Sequence, residues 1–242
     1  MKKLQITFTV LFLTIILGSC STTKILQTNF SEGTLGNAPA HDIPGDPSGD
    51  FIGYIPDLAP ALKIVNWSAG DGKALEFKSR YLPNVSGHNT WLSFTGVSTN
   101  FRETIWHMYA AKHSGTNGNI IIDLTDGSGT LIARMTTRSD GTTTLQNRDW
   151  ITSRNIGVIP PNVYHTVIFA VSVTNRTFNL LIVGGGMEQI ELNDVPLFTD
   201  NILDFHNPAT PQLGINFDQA GDNTRTFELK TLLITRKNPT RN

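Results

Sequence analysis

Short runs of alternating apolar residues, separated by glycine-rich turns, cover most of this sequence. Apolar residues occupy every second position in "KALEFKSR", "TWLSFT", "TIWHMYA", "NIIIDLT" and "TLIARMTT". This alternation is typical of half-buried β-strands, whose successive side chains point to opposite faces of a sheet. Turn sequences such as "DG" at Asp71, "DGSG" at Asp126 and "SDG" at Ser139 separate the runs. The pattern therefore predicts a β-protein with tight turns.

The second half of the chain adds two nearly continuous apolar runs, "HTVIFAVSV" and "RTFNLLIV". Such runs are expected of central strands that are buried on both faces. In total we expect eleven to thirteen strands, with an irregular loop between Asn37 and Pro60 where glycine, proline and aspartate are frequent. Many short strands at this spacing predict an all-β fold, a jelly-roll sandwich of two antiparallel sheets.

The first residues have the features of an export signal. Lys2 and Lys3 precede an apolar run from Ile6 to Leu17, and "LGSC" follows, ending at Cys20. These residues resemble a bacterial lipobox, which implies that the sulfur of Cys20 carries a diacylglycerol. The alternative is an ordinary signal peptide with a chance cysteine. We therefore expect residues 1–19 to be a lipoprotein signal peptide, 20–24 a short tether and 25–242 one domain.

Charge and composition limit the partners. Removal of Lys2 and Lys3 with the signal leaves 17 basic and 20 acidic residues, a formal net charge of −3. An acidic chain with only 16% charged residues is a poor partner for nucleic acid. The lipobox resemblance implies an exported lipoprotein of the bacterial cell envelope, held in a membrane by lipid chains such as palmitate. We expect this membrane to be the outer one.

A family resemblance covers nearly all of the mature chain. The stretch "YHTVIFAVSVTNRTFNLLIVGGGMEQIELNDVPL" resembles the two-strand unit of concanavalin A-like, or laminin G-like, jelly rolls. The closing "FELKTLLITR" is similar to the terminal strand of that superfamily, and "NFSEGTLGNAP" to its entry. The resemblance implies a concanavalin A-like fold and a protein that acts on or binds extracellular polysaccharide. The fold alone does not determine which activity the protein has.

Glycoside hydrolases of this superfamily carry paired acids on one face of a strand. The chemistry needs one carboxylic acid and one carboxylate that flank the scissile bond. The acid cluster "MEQIELND" contains Glu188, Glu191 and Asp194. Gaps of three residues place neighbouring acids on opposite faces of a strand. Hydrolysis is therefore the less favoured chemistry, and the acids are expected to be solvated.

Jelly-roll polysaccharide lyases, such as the alginate lyases, offer a second comparison. "LGINFDQ" resembles the late strand of that family, and "ALEFKSR" falls where its arginine–glutamate strand would lie. Asn216 stands where that family has its catalytic tyrosine, and Gln212 stands near its lysine. The family's glutamine–isoleucine–histidine strand has no counterpart in "NIIIDLT". The two amides are therefore expected to contact substrate, without a catalytic role being carried over.

The residues themselves can also be compared with the needs of lyase chemistry. β-Elimination across a uronate needs a base, an acid and groups that stabilise the developing enolate. If Trp106 and Met108 take the core face of "TIWHMYAAKH", His107 and Tyr109 share the other face. This assignment predicts a base–acid pair formed by His107 and Tyr109.

Sequential hairpins would complete this site. With a turn near Gly115–Gly118, His107 would lie opposite Asp123, and Ile121 would then face Arg134 across the next turn. We expect Asp123 to orient the imidazole, while Arg134 and Arg138 bind substrate carboxylates. The alternative is that His107 and Tyr109 are ordinary polar residues on the exposed face of a sheet, and that Asp123 only forms a cross-strand pair.

Aromatic residues give two further predictions. Trp91 alternates with Leu92 and Phe94, so we expect it on the groove side, where it can stack on a sugar ring. The core is expected to pair the apolar members of successive runs. These residues are Phe77, Phe94, Trp106 and Ile122.

A structural calcium site is the only cofactor that the residues suggest. "HDIPGDPSGD" supplies hard carboxylate oxygens from Asp42, Asp46 and Asp50. The spacing matches no known calcium loop.

Three functions fit these observations. The first is a surface lipoprotein that cleaves a uronate-containing polysaccharide by β-elimination. The second is a non-catalytic glycan-binding lipoprotein that uses Trp91 and the same polar face. The third is a structural envelope lipoprotein without a ligand. A single domain with no catalytic neighbour favours the lyase.

Overall fold

In a computed structural model the chain forms two antiparallel β-sheets, as the strand pattern predicts. The structure describes residues 23–43, 51–79, 91–99, 103–116, 118–149, 151–198, 210–218 and 225–240. Fifteen strands and one short 3-10 helix, Pro56–Ala61, lie within these residues. No helix in these ranges is long and apolar enough to cross a membrane.

One sheet has eight strands. Its order is β13-β12-β11-β6-β15-β4-β3, and β1 also pairs with β15. Its members are β1 (Lys24–Thr28), β3 (Leu62–Asn66), β4 (Lys73–Lys78), β6 (Ile105–Gly115), β11 (His165–Ser172), β12 (Thr177–Val183), β13 (Ile190–Pro196) and β15 (Arg225–Thr235). The two long apolar runs are β11 and β12, as expected of strands inside a sheet.

The other sheet has seven strands, in the order β10-β9-β8-β7-β14-β5-β2. Its members are β2 (Phe51–Gly53), β5 (Leu92–Thr95), β7 (Asn119–Thr125), β8 (Leu131–Thr137), β9 (Thr142–Gln146), β10 (Ser153–Val158) and β14 (Gln212–Asp218). The prediction of one irregular loop from Asn37 to Pro60 is therefore wrong in part, because β2 lies within it.

Aspartate side chains fix the predicted turns. The Oδ1 atom of Asp126 accepts hydrogen bonds from the backbone N–H groups of Ser128 (2.8 Å) and Thr130 (3.0 Å). Asp140 accepts one from the backbone of Thr142 at 2.8 Å in the next hairpin. Such short side-chain bonds stabilise tight turns, so these sequences set the β7–β8 and β8–β9 connections.

The core lies between the two sheets. Phe77, Phe94 and Ile122 are buried there, as predicted, and Phe77 packs edge-to-face on Phe217 with ring centroids 4.7 Å apart. The prediction for Trp106 is wrong, since it is only half-buried and lies outside the core cluster, between the buried Ile105 and His107.

The connection from β6 to β7 differs from the predicted hairpin. The β6 strand pairs with β11 and β15, whereas β7 pairs with β8 and β14 in the other sheet. The chain crosses between sheets through Gly115 and Gly118, whose φ angles are 97° and 76°. Glycine permits these angles without a steric penalty. His107 and Asp123 therefore belong to different sheets.

A buried arginine links the sheets at one end of the sandwich. The guanidinium of Arg225 on β15 donates to the carbonyl oxygens of Gly115 (3.0 Å) and Arg138 (2.7 Å). Gly115 ends β6 and Arg138 directly follows β8, so one side chain joins both layers. Burial lowers the pKa of Arg225, against an opposing contribution from the charge of Asp140. The two carbonyl oxygens also satisfy the buried guanidinium.

Candidate functional site

The proposed base and acid do not lie on an exposed face. His107 and Tyr109 are 0% and 1% exposed, and both point into the sandwich. Trp106 and Met108 take the opposite, half-buried face of β6. The face assignment of this strand is therefore wrong. Its physical reason is that Ile105, Tyr109 and Ala111 form an apolar series of their own.

Burial also changes the acid–base properties of these groups. It lowers the pKa of His107 to about 3, against a weaker opposing contribution from the backbone of Ile105. Within the described residues neither ring nitrogen has a hydrogen-bond partner of good geometry. Burial likewise raises the pKa of Tyr109. In this structure a polymer cannot reach either group, and Asp123 does not orient the imidazole.

Five other predicted site residues lie together on the outer face of the seven-stranded sheet. We call this surface the polar face and define it by Trp91, Asp123, Arg134, Gln212 and Asn216. On β7 and β14 the alternate positions Ile122, Leu124, Leu213 and Ile215 belong to the core, so the residues between them face outward. The alternation of apolar residues thus predicts the correct face for these residues, although the predicted cross-strand partners of Asp123 and Arg134 were different.

An ion pair occupies the centre of the polar face. Asp123 and Arg134 are directly opposite each other on β7 and β8. The Nε and Nη2 atoms of Arg134 donate to the two carboxylate oxygens of Asp123, each at 2.7 Å. This hydrogen bonding raises the pKa of Arg134. Its Nε–Nη2 edge already holds a carboxylate, so a substrate carboxylate would have to compete for it.

Trp91 lies beside this pair, over a glycine. Gly214 is the β14 partner of both Asp123 and Ser93. A Cβ atom on Gly214 would fall 2.2 Å from two atoms of the six-membered ring of Trp91. The ring therefore packs on bare backbone, which a side chain at position 214 would prevent. An aromatic ring next to a charge-assisted pair suits a ligand with both apolar and polar surfaces.

The amides extend the polar face to either side of Gly214. Gln212 pairs in register with Thr95 and Thr125, and its Oε1 accepts a hydrogen bond from the Thr125 hydroxyl at 3.2 Å. Asn216 pairs with Ile121 and is half-buried. Amides and hydroxyls offer both donors and acceptors, which is the complement that sugar hydroxyls need.

Arg138 and the acid cluster lie away from the polar face. Arg138 directly follows β8 and lies exposed in the hairpin before β9, where its backbone N–H donates to Thr142 at 2.9 Å. Arg138 therefore does not share a substrate-binding face with Arg134, and that prediction is wrong. The acids Glu188, Glu191 and Asp194 are exposed at the β13 edge of the other sheet, in agreement with the solvated role expected for them.

Sequence reasoning missed the aromatic end of the polar face. Tyr54 and Phe51 both stack on His41, with ring centroids 4.4 and 5.5 Å from it. They lie at β2, the edge strand next to β5. The local signal is the short apolar and aromatic run "FIGYI", but the surrounding glycine and proline residues obscure it.

Most residues of the lipidation and calcium predictions are not among those that the structure describes. Cys20, Asp46 and Asp50 lie outside the described residues, and so does the tether up to residue 22. Asp42 is exposed. Within the described ranges no group of three or more histidine, cysteine, aspartate or glutamate residues is placed to hold a metal ion. Lipidation and calcium binding stay predictions.

Comparison with known proteins identifies the fold. No protein-family model matches the sequence, and no curated protein matches it. The catalytic domain of a glycoside hydrolase family 131 protein from Coprinopsis cinerea superposes with a TM-score of 0.52 and 12% identity, covering 89% of this chain and 95% of that chain. A GH131 beta-glucanase catalytic domain from Podospora anserina gives 0.52 and 10%, covering 89% and 97%.

A sialidase superposes with a TM-score of 0.50 and 10% identity. The match covers 88% of this chain but only 18% of the sialidase. Matches with identities this low show the fold and do not determine the activity. The two antiparallel sheets and these neighbours together show that the chain has the concanavalin A-like jelly-roll fold.

Proposed function

We propose that this domain is a non-catalytic glycan-binding lipoprotein of the bacterial cell envelope, which binds extracellular polysaccharide through the polar face. One observation carries the proposal: the Trp91 ring lies over Gly214 beside the bidentate Asp123–Arg134 pair. An aromatic ring packs on the C–H face of a sugar, while neighbouring amides and charges bind its hydroxyls.

The neighbours in fold support a carbohydrate ligand. One of them is a beta-glucanase catalytic domain. Another is the binding domain of botulinum neurotoxin DC in complex with SialylT, which has a TM-score of 0.50 and 12% identity and covers 89% of this chain and 48% of that chain. The polar face of this chain is built from the residue types that such ligands require, which makes a glycan the best-supported partner.

Binding without cleavage fits the described residues better than catalysis does. The pair predicted for β-elimination, His107 and Tyr109, is buried in the core. Asp123 is bound to Arg134, and Asp218 lies four residues from Gly214, the partner of Asp123. Four residues of strand span about 13 Å. That exceeds the separation of about 5–9.5 Å between the two carboxyl groups of a glycosidase.

Replacing Trp91 with alanine tests this function. We expect Trp91→Ala to weaken polysaccharide binding about tenfold or more, because a central aromatic contact is lost. Affinity electrophoresis against a panel of neutral and acidic polysaccharides measures the change. Trp106→Ala is the matched control, since Trp106 is a half-buried indole of the other sheet. Equal binding by Trp91→Ala and the wild type would contradict the proposal.

The same panel separates binding from β-elimination. The absorbance of the unsaturated product should stay at background with every acidic polysaccharide. Steady formation of that product by the wild-type domain would replace the binding function with a lyase.

Anchoring is tested at the cysteine. If the Cys20 sulfur carries the lipid, Cys20→Ser should leave the signal peptide uncleaved or release the protein in soluble form, because no acyl chain is attached. Membrane fractionation and metabolic labelling with palmitate measure this. Loss of label with unchanged cleavage and solubility would mean that the lipid is not the anchor, and label retained in Cys20→Ser would place it elsewhere.

A further inference from the structure

A depression of about 400 Å³ lies at the β2 edge of the polar face. It is lined by Gly53, Tyr54, Ile55, Trp91 and Ser93. Ligand sites span about 300–1,000 Å³, so this space is at the small end of that range and suits a single sugar ring. Trp91 belongs both to the polar face and to this depression, which makes the two surfaces continuous.

The floor of the depression exists because one residue lacks a side chain. Gly53 and Ser93 are directly opposite each other on β2 and β5. A Cβ atom on Gly53 would fall 2.6 Å from the Oγ atom of Ser93. That hydroxyl lies 3.4 Å from the carbonyl oxygen of Gly53. The floor therefore consists of backbone and one hydroxyl group, flanked by the Phe51 ring, whose nearest atom is 3.2 Å from the same Cβ position.

One wall of the depression, Tyr54, is held rigid. The hydroxyl of Tyr54 donates to the carbonyl oxygen of Pro39 at 2.6 Å, and its ring stacks on His41 at 4.4 Å. The Nδ1 atom of His41 lies 2.8 Å from the carbonyl oxygen of Ile52. Side chains fixed before binding lose little conformational entropy when a ligand arrives. This wall is therefore suited to pack on a ring.

Charge indicates the class of ligand. The residues lining the depression are glycine, tyrosine, isoleucine, tryptophan and serine. A tyrosine hydroxyl is protonated at neutral pH, and burial raises the pKa of Tyr54 further. The Asp123–Arg134 pair, two strands away from Ser93, is neutral as a unit. An anionic sugar would find no unpaired cation among the residues lining the depression.

We propose that this depression is an end subsite that binds one uncharged pyranose ring between Trp91 and Tyr54, from which a neutral polysaccharide extends past Trp91 toward the Asp123–Arg134 pair. This rests on the proposed glycan-binding function. The register row Gly53–Ser93–Gly214–Asp123–Arg134 crosses five strands. At about 4.8 Å per strand the row is about 19 Å long, the length of a short oligosaccharide.

Calorimetry with hexasaccharides tests the subsite. The probes are neutral cello-, laminari-, manno- and xylo-oligosaccharides, and acidic oligoalginate and oligogalacturonate. We expect the wild type to bind a neutral probe, with equal affinity at low and high salt. Gly53→Ala and Tyr54→Ala should each weaken that binding about tenfold. Tyr54→Phe keeps the ring and should lose much less. Thr144→Ala, at the far β9 side of the same sheet, should bind normally.

Each other outcome has a defined meaning. If Trp91→Ala loses binding while Gly53→Ala and Tyr54→Ala do not, the subsite is wrong and the glycan-binding function stands. Salt-sensitive preference for the acidic probes would overturn the neutral ligand class. Binding of none of the probes or polysaccharides would overturn both proposals. Circular dichroism of each variant shows whether a loss comes from misfolding.

Discussion

Acidification from pH 7.5 to pH 5 should destabilise the domain by up to about 6 kcal/mol, through three buried histidines. Burial lowers the pKa of His107 and His113 to about 3 and of His165 to about 4. The positive charge of Arg225 contributes to the shift at His113. Each imidazole is therefore neutral in the folded state at pH 5.

The direction of this effect follows from proton binding. In the unfolded chain a histidine has a pKa of about 6.5, so between pH 6.5 and pH 4 the unfolded state binds more protons than the folded state. Stability is fully present above pH 6.5 and falls as the pH drops toward the folded values. At pH 5 one such histidine costs about 2 kcal/mol. Three of them approach the whole stability of an ordinary domain.

Urea unfolding followed by tryptophan fluorescence at several pH values measures the loss. Carboxylates in the unfolded chain titrate mainly below pH 5, so the window from pH 6.5 to pH 5 reports the histidines. His107→Met is the informative variant, because methionine fills the space without titrating. Its stability should fall about one third less between these pH values. A urea midpoint that is constant from pH 7.5 to pH 5 would contradict the prediction.

Phe94→Ala should lower the free energy of unfolding by about 3–5 kcal/mol. Phe94 is 0% exposed and meets Phe30 edge-to-face, with ring centroids 6.3 Å apart. It pairs in register with Ile52 and Leu213 on the two neighbouring strands. Its removal therefore leaves a cavity beneath β5, next to the edge strand β2, which the surrounding strands can close only in part.

Urea unfolding at pH 7.5 measures this loss too. Ser93→Ala is the adjacent control, since Ser93 faces outward and its substitution should change stability by less than about 0.5 kcal/mol. A loss below about 1 kcal/mol for Phe94→Ala would mean that the core closes around the missing ring.

The fold class was predictable because most strands have one apolar face. Ile122 and Leu124 in β7 decide which side faces the core, and the polar face follows from them. The predicted register of β7 and β8 was wrong by two residues, so that Asp123 rather than Ile121 faces Arg134. A register shift of two residues keeps every side chain on its own face of the sheet. Asp123 and Arg134 therefore still share the outer face, as predicted.

The errors arise where local pattern carries too little information. In β6 both series are largely apolar, Ile105, Tyr109 and Ala111 against Trp106 and Met108, so alternation cannot decide the face. Its neighbours in the sheet, β11 and β15, are distant in sequence. The end subsite was missed because β2 is only three residues long and lies among glycine and proline.

The pairing of the last strands has a consequence for how this chain matures. In the eight-stranded sheet β15 lies between β6 and β4 and also holds β1, while in the other sheet β14 lies between β7 and β5. The partner of β1 is therefore synthesised roughly two hundred residues later, and the partner β14 of strand β5 roughly one hundred and twenty residues later. The seven-stranded sheet cannot close before β14 has been synthesised, nor the eight-stranded sheet before β15, so folding should be slow. A chain whose sheets stay open until these late strands are made also stays threadable, which is what the passage to the cell envelope proposed above would require.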